Sequence, residues 1–94
     1  MNIFLTPKAE SDFHNIIHYL EEKWGRKSVK AFIQKTDDLL NLLKQYPLMG
    51  QKEIKEIRGF QLSPQIRILY RIDNENLIIL AFFVVRQNPN KKLS

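Results

Sequence analysis

The 94-residue sequence contains no cysteine, so neither a disulfide framework nor a thiolate metal centre is open to it. Glycine is scarce, and Gly50 and Gly59 do not stand at GxGxxG or P-loop spacing, which leaves no phosphate-cradling loop. Long apolar runs are also missing. The longest, Leu77 to Val85, has nine residues, under half of the ~20 that a spanning helix needs. No basic region followed by an apolar stretch opens the chain, and Pro7 and Lys8 arrive too early for a secretory signal. A soluble, cytoplasmic protein is expected, without a cofactor. Histidine is limited to His14 and His18. Their i, i+4 spacing is that of a zinc-binding helix, but Asn15 replaces the glutamate of that motif and no third ligand is evident. No metal is expected, and both read as surface histidines.

A chain of this length supports a single core, so one domain spanning residues 1–94 is expected, with residues 87–94 loosely held. The material for that core is sufficient, because 44% of residues are hydrophobic. The charge is uneven. Residues 1–50 carry seven basic and six acidic side chains, a net +1; residues 51–94 carry eight and four, a net +4. The excess in the second half implies an anionic partner, nucleic acid or an acidic protein segment.

Asn2 to Leu5 reads as a short strand. Thr6 is a helix cap, with Pro7 at the first helical position. Ala9, Phe13, Ile16, Ile17, Leu20 and Trp24 then recur at helical spacing, and Gly25 ends the run. Val29, Phe32, Ile33, Thr36, Leu39, Leu40 and Leu43 define a second helix, which stops at Tyr46-Pro47. A lone glycine between two helices predicts an antiparallel hairpin. Beyond Gly50 the period becomes that of strands: Ile54 to Phe60, Ile66 to Ile72, and Leu77 to Val85. The last run is apolar on both faces and is expected to be a central strand. The order is β-α-α-β-β-β, an α+β fold with a helical hairpin on one face of a small, mostly antiparallel sheet.

Alternation along the strands then places the arginines. Ile66, Ile68, Tyr70 and Ile72 share one face, expected beneath the helices, which turns Arg67 and Arg71 to the uncovered face. Burying Ile57 is expected to turn Arg58 the same way, and Arg86 stands where the last strand ends. Two readings of these four arginines stay open. One is a docking surface whose planar guanidinium forks bind phosphate or carboxylate. The other is a solvated face whose arginine stems cover apolar neighbours.

In order and spacing the residues resemble the RelE/ParE family of toxins over nearly the whole chain. The resemblance is carried by Leu5-Thr6, Ala9, Asp12-Phe13, Ile16, Tyr19 and Trp24-Gly25 in the first helix, and by Phe32, Leu39-Leu40, Leu43, Pro47 and Gly50 around the second. Ile57-Arg58, Ile66-Arg67, Tyr70-Arg71-Ile72, Leu77 to Leu80, and Arg86-Gln87-Asn88-Pro89 with Lys91 continue it through the sheet. The resemblance implies a toxin neutralised by a cognate antitoxin, with either the ribosome and its mRNA or DNA gyrase as target. For a metal-independent ribonuclease of the RelE kind it implies charge stabilisation by Arg58, Arg67 and Arg86 as the catalytic set. Arg67 matches a functional arginine of that branch. Departures weigh against hydrolysis: Ile54 and Glu56 stand where catalytic lysines are carried, and Val84 to Pro89 offers no histidine or tyrosine. Arginine is a poor proton donor or acceptor at neutral pH. The expectation is a ParE-like toxin that binds through Arg58, Arg67, Arg71 and Arg86, with the ribonuclease as the alternative.

Overall fold

Thr6 starts the first helix as its chemistry dictates. Its hydroxyl accepts the Ala9 amide at 3.1 Å, satisfying one of the donors that a helix N-terminus leaves free. The computed structural model describes residues 1–85 and places a short strand, β1 (Asn2–Leu5), before this helix, α1 (Pro7–Trp24). Gly25, at φ +87°, joins α1 directly to α2 (Arg26–Gln45), and its amide bonds back to Leu20 and Glu21. Four strands follow: β2 (Gln51–Ile54), β3 (Ile57–Gln61), β4 (Ile66–Asp73) and β5 (Asn76–Val84).

The sheet runs β1-β5-β4-β3-β2, antiparallel except where β1 lies parallel to β5. This is the α+β arrangement expected, with one more strand. The run expected as a single strand from Ile54 to Phe60 is split, because Lys55 adopts the left-handed backbone (φ +50°) and reverses the chain at Lys55-Glu56. Lysine gives no hint of that conformation, which glycine and asparagine favour. The turn between β4 and β5 follows the usual chemistry, with Asn74 at φ +58°.

The helices cover one face. Ala9, Ile16, Phe32, Leu39 and Leu43 are buried against Ile66, Ile68, Tyr70, Leu77, Ile79 and Phe82. Phe13 links the layers, its ring 5.1 Å from Phe32 and 5.5 Å from Phe82. Trp24, expected on the apolar face of α1, is instead 71% exposed at the helix end. His14 and His18 are exposed on α1. Among the described residues no helix is long and apolar enough to cross a membrane.

Strand β5 contains one irregularity that matters for everything built on it. Leu69 pairs with Ala81 but Tyr70 pairs with Ile79, so Leu80 is an extra residue, a β-bulge. The slip keeps Ile79 and Phe82 both on the helix side although they are three positions apart. Two side chains of α1's first turns hold it in place. The Thr6 hydroxyl donates to the Leu80 carbonyl at 3.1 Å, and the Asp12 carboxylate accepts the Phe82 amide at 3.1 Å while pairing with Lys8 at 2.8 Å.

Replacing Asp12 by alanine strands the Phe82 N–H in a partly buried site. The expected cost is about 1–3 kcal/mol, read as a lower urea midpoint with the slope of the transition unchanged.

Candidate functional site: the open face of the sheet

The face away from the helices is built from side chains that alternate with the core. On β4 these are Arg67, Leu69 and Arg71, as the strand pattern predicted. Cross-strand register fills in the rest. Arg67 lies between Gln61 and Phe83, Leu69 between Gly59 and Ala81, and Arg71 between Ile57 and Ile78. Phe4 pairs with Ile78 on one side, and Ile54 with Ile57 on the other.

Arg58 does not belong to this face. It pairs with Tyr70, and paired residues project to the same side of a sheet. The expectation that a buried Ile57 would turn Arg58 outward fails because Ile57 itself lies on the open side, opposite Arg71. The Arg58 guanidinium instead bonds the carbonyls of Gly50, at 2.9 Å, and Leu48, at 3.2 Å. Tyr70 holds the same loop from beneath. Its fully buried hydroxyl accepts the Gly50 amide at 2.9 Å and donates to the Pro47 carbonyl at 2.8 Å. Gly50 is needed for that approach, since an added Cβ would collide with the Tyr70 hydroxyl. Arg58 and Tyr70 are thus latches on the segment that leads from α2 into the sheet.

Arg67 is on the open face but already has partners. One nitrogen pairs with the Glu53 carboxylate and the other bonds the Gln61 amide oxygen at 3.2 Å. The guanidinium lies over Gly59, where a Cβ would come within 2.7 Å of it and 2.9 Å of the Glu53 oxygen. A glycine within a strand signals such a close approach. Gly59 is the signal in the sequence for this site, and Glu53 reaches Arg67 from β2, across β3. Arg71 is exposed, and among the described residues no carboxylate lies within 4 Å of it. Arg67 and Arg71 share the face at four residues' separation, ~13 Å along a strand. Arg86, the fourth arginine expected here, lies outside the described residues, as does the segment 87–94 expected to be loose.

A separate groove of about 810 Å³ opens at the other end of the sheet, lined by Ile16, Tyr19, Lys23, Gln65, Val84 and Val85 among others. It lies on the helix side, remote from Arg71.

These elements, in this order, match the family model described as the ParE toxin of the type II toxin–antitoxin system parDE, over residues 3–89. The chain belongs to the ParE toxin family. Solved structures share its fold. A protein of the chromosomal ParDE toxin–antitoxin system from P. aeruginosa is 20% identical with a TM-score of 0.77, over 92% of this chain and 97% of that one. The isolated E. coli RelE toxin is 9% identical with a TM-score of 0.66, over 98% and 92%. The heterotetrameric YoeB–YefM toxin–antitoxin complex from Staphylococcus aureus matches at 16% identity and a TM-score of 0.61, over 94% and 98%. A search of curated proteins finds no match for the chain. As a ParE-family member the chain is a toxin of a type II toxin–antitoxin system.

The Tyr70 latch has a pH signature. Burial pushes the phenol above its ordinary value of 10.0, outweighing the opposing effects of the Gly50 hydrogen bond and the Arg58 charge. The folded state therefore keeps its proton where the unfolded chain has begun to lose it. The Tyr70 contribution is complete below pH 10.0 and declines as pH rises beyond it towards the folded value. Tyr70→Phe should lower stability by about 1–3 kcal/mol at neutral pH, and its gap to the native protein should narrow above pH 10.0 in urea titrations.

Proposed function

We propose that this toxin acts without hydrolysis, by binding DNA gyrase, and that a cognate antitoxin neutralises it in the cytoplasm. The observation that carries the reading is the state of the proton-transfer groups around the open face. Cleaving RNA without a metal needs a base for the 2′-hydroxyl and an acid for the leaving oxygen. Tyr70 is buried on the opposite face with both hydrogen-bonding roles taken by Gly50 and Pro47. His14 and His18 stand on α1. Glu53, the acid beside Arg67, is engaged by that guanidinium. The sequence from Arg86 to Ser94 adds neither histidine nor tyrosine.

The arginines fit binding better than catalysis. Arg58 is committed to backbone carbonyls and Arg67 to Glu53, so two members of the ribonuclease set implied by the family resemblance already have internal partners. An antitoxin partner is supported by the YoeB–YefM neighbour, whose structure is a toxin–antitoxin complex. The net charge of +5 suits an acidic neutralising segment.

The test is to add the purified toxin to a gyrase supercoiling reaction and, in parallel, to map mRNA 5′ ends after induction in growing bacteria. Supercoiling should be inhibited, with the transcript ends unchanged. New transcript ends with supercoiling intact would replace this reading with the ribonuclease, for which Arg67→Ala should then abolish cleavage.

A further inference from the structure

Register places five side chains in one row across all five strands of the open face. In spatial order they are Phe4 on β1, Ile78 on β5, Arg71 on β4, Ile57 on β3 and Ile54 on β2. The central position is a cation and the four flanking positions are apolar. Phe4 is 53% exposed and Ile54 62%, while Ile57 and Ile78 are partly exposed. Large apolar side chains so disposed mark a surface that contacts something. The nearest acid along this face of β4 is Asp73, two positions beyond Arg71 and not ion-paired with it.

We propose that this row is a docking site for an amphipathic helix of a partner protein, with a carboxylate that pairs with Arg71 and apolar side chains on either side of it. The inference rests on the reading that the toxin works through protein contact. The spacing argues for a helix lying across the strands. Neighbouring strands are ~4.8 Å apart and successive helical turns ~5.4 Å, so one side chain per turn meets one strand. The row is ~19 Å wide, and five side chains at one per turn need a helix of about 15 residues, whose outermost contacts lie ~21 Å apart. Apolar residues at i, i+4, i+11 and i+14 with an acid at i+7 reproduce its pattern.

Charge chooses the partner's class. A nucleic-acid strand presents a phosphate at each nucleotide and is held by an array of cations. Here Arg67 is neutralised by Glu53 and Arg58 faces the other way, which leaves Arg71 as the unpaired arginine on the face among the described residues. A single arginine ringed by aliphatic and aromatic groups is the make-up of a protein–protein hot spot. A docked helix would exclude water around it, so that one ion pair discriminates strongly between partners.

The probe is a fluorescent synthetic helix with leucine at the four apolar positions, glutamate at i+7 and uncharged residues elsewhere, compared with its Glu→Gln and Glu→Lys versions by anisotropy. The glutamate peptide should bind the native protein about tenfold more tightly than the glutamine one, and the lysine peptide most weakly. Arg71→Glu should reverse that order, and Arg71→Gln should flatten it. Lys30→Glu, which changes net charge equally on an exposed part of α2, should leave the order intact. Amide shifts on binding should centre on Phe4, Ile54, Ile57 and Ile78. The proposal is overturned if no peptide binds, if Arg71→Glu keeps the native order, if Lys30→Glu matches its effect, or if a uridine-rich RNA displaces the peptide. Gyrase inhibition with no peptide binding would reject the row and keep the target. Peptide binding without gyrase inhibition would do the reverse.

Discussion

The hydrogen bond from the Phe82 amide to Asp12 fixes the point at which strand β5 changes phase. A strand alternates its faces strictly, so one inserted residue exchanges the two sides for everything beyond it. With Leu80 as the inserted residue, Ile79 and Phe82 both enter the core and Phe83 emerges beside Arg67. Without it, Phe82 would face solvent and Phe83 would press into the helices. The Thr6 hydroxyl and Asp12 carboxylate, both at the start of α1, tie the helical layer to this slip. The covered and uncovered faces are thus defined by two polar side chains as well as by the apolar pattern.

Three arginines of identical chemistry meet different fates on this scaffold. Arg58 closes a loop through backbone carbonyls, Arg67 is held over a glycine by a carboxylate and an amide, and Arg71 stands in an apolar row with no ion-pair partner among the described residues. Position in the register, and what the adjoining strand places opposite, decides between structure and recognition. The same guanidinium fork serves both because it binds carbonyl, carboxylate or phosphate oxygens alike.

Most of the architecture was legible in the sequence. Helix periods, the Thr6-Pro7 start, the Gly25 joint and the Tyr46-Pro47 stop all reflect local chemistry, which a single chain displays directly. So did the interior place of β5 and the burial of Tyr70. The hairpin between β2 and β3 was hidden because Lys55 takes a backbone conformation that its residue type does not advertise. The face of Arg58 is not legible for a related reason. Parity turns Arg58 outward only if Ile57 is buried beneath the helices, whereas the sheet places Ile57 on the open side. The pairing of Glu53 is not legible because ion pairs between strands depend on register, and an irregularity between Lys52 and Ile54 alters that register.

Strand β2 has all four of its side chains exposed, so it is joined to the sheet by its backbone with almost no apolar burial of its own. Edges of this kind fray at low cost compared with the interior of a sheet. Glu53 rides on that edge, and it is the carboxylate that masks Arg67. If β2 peels away, it carries the counter-charge with it and bares a second guanidinium above the hollow at Gly59. Backbone pairing at the sheet margin and surface potential are thereby joined in a four-residue segment.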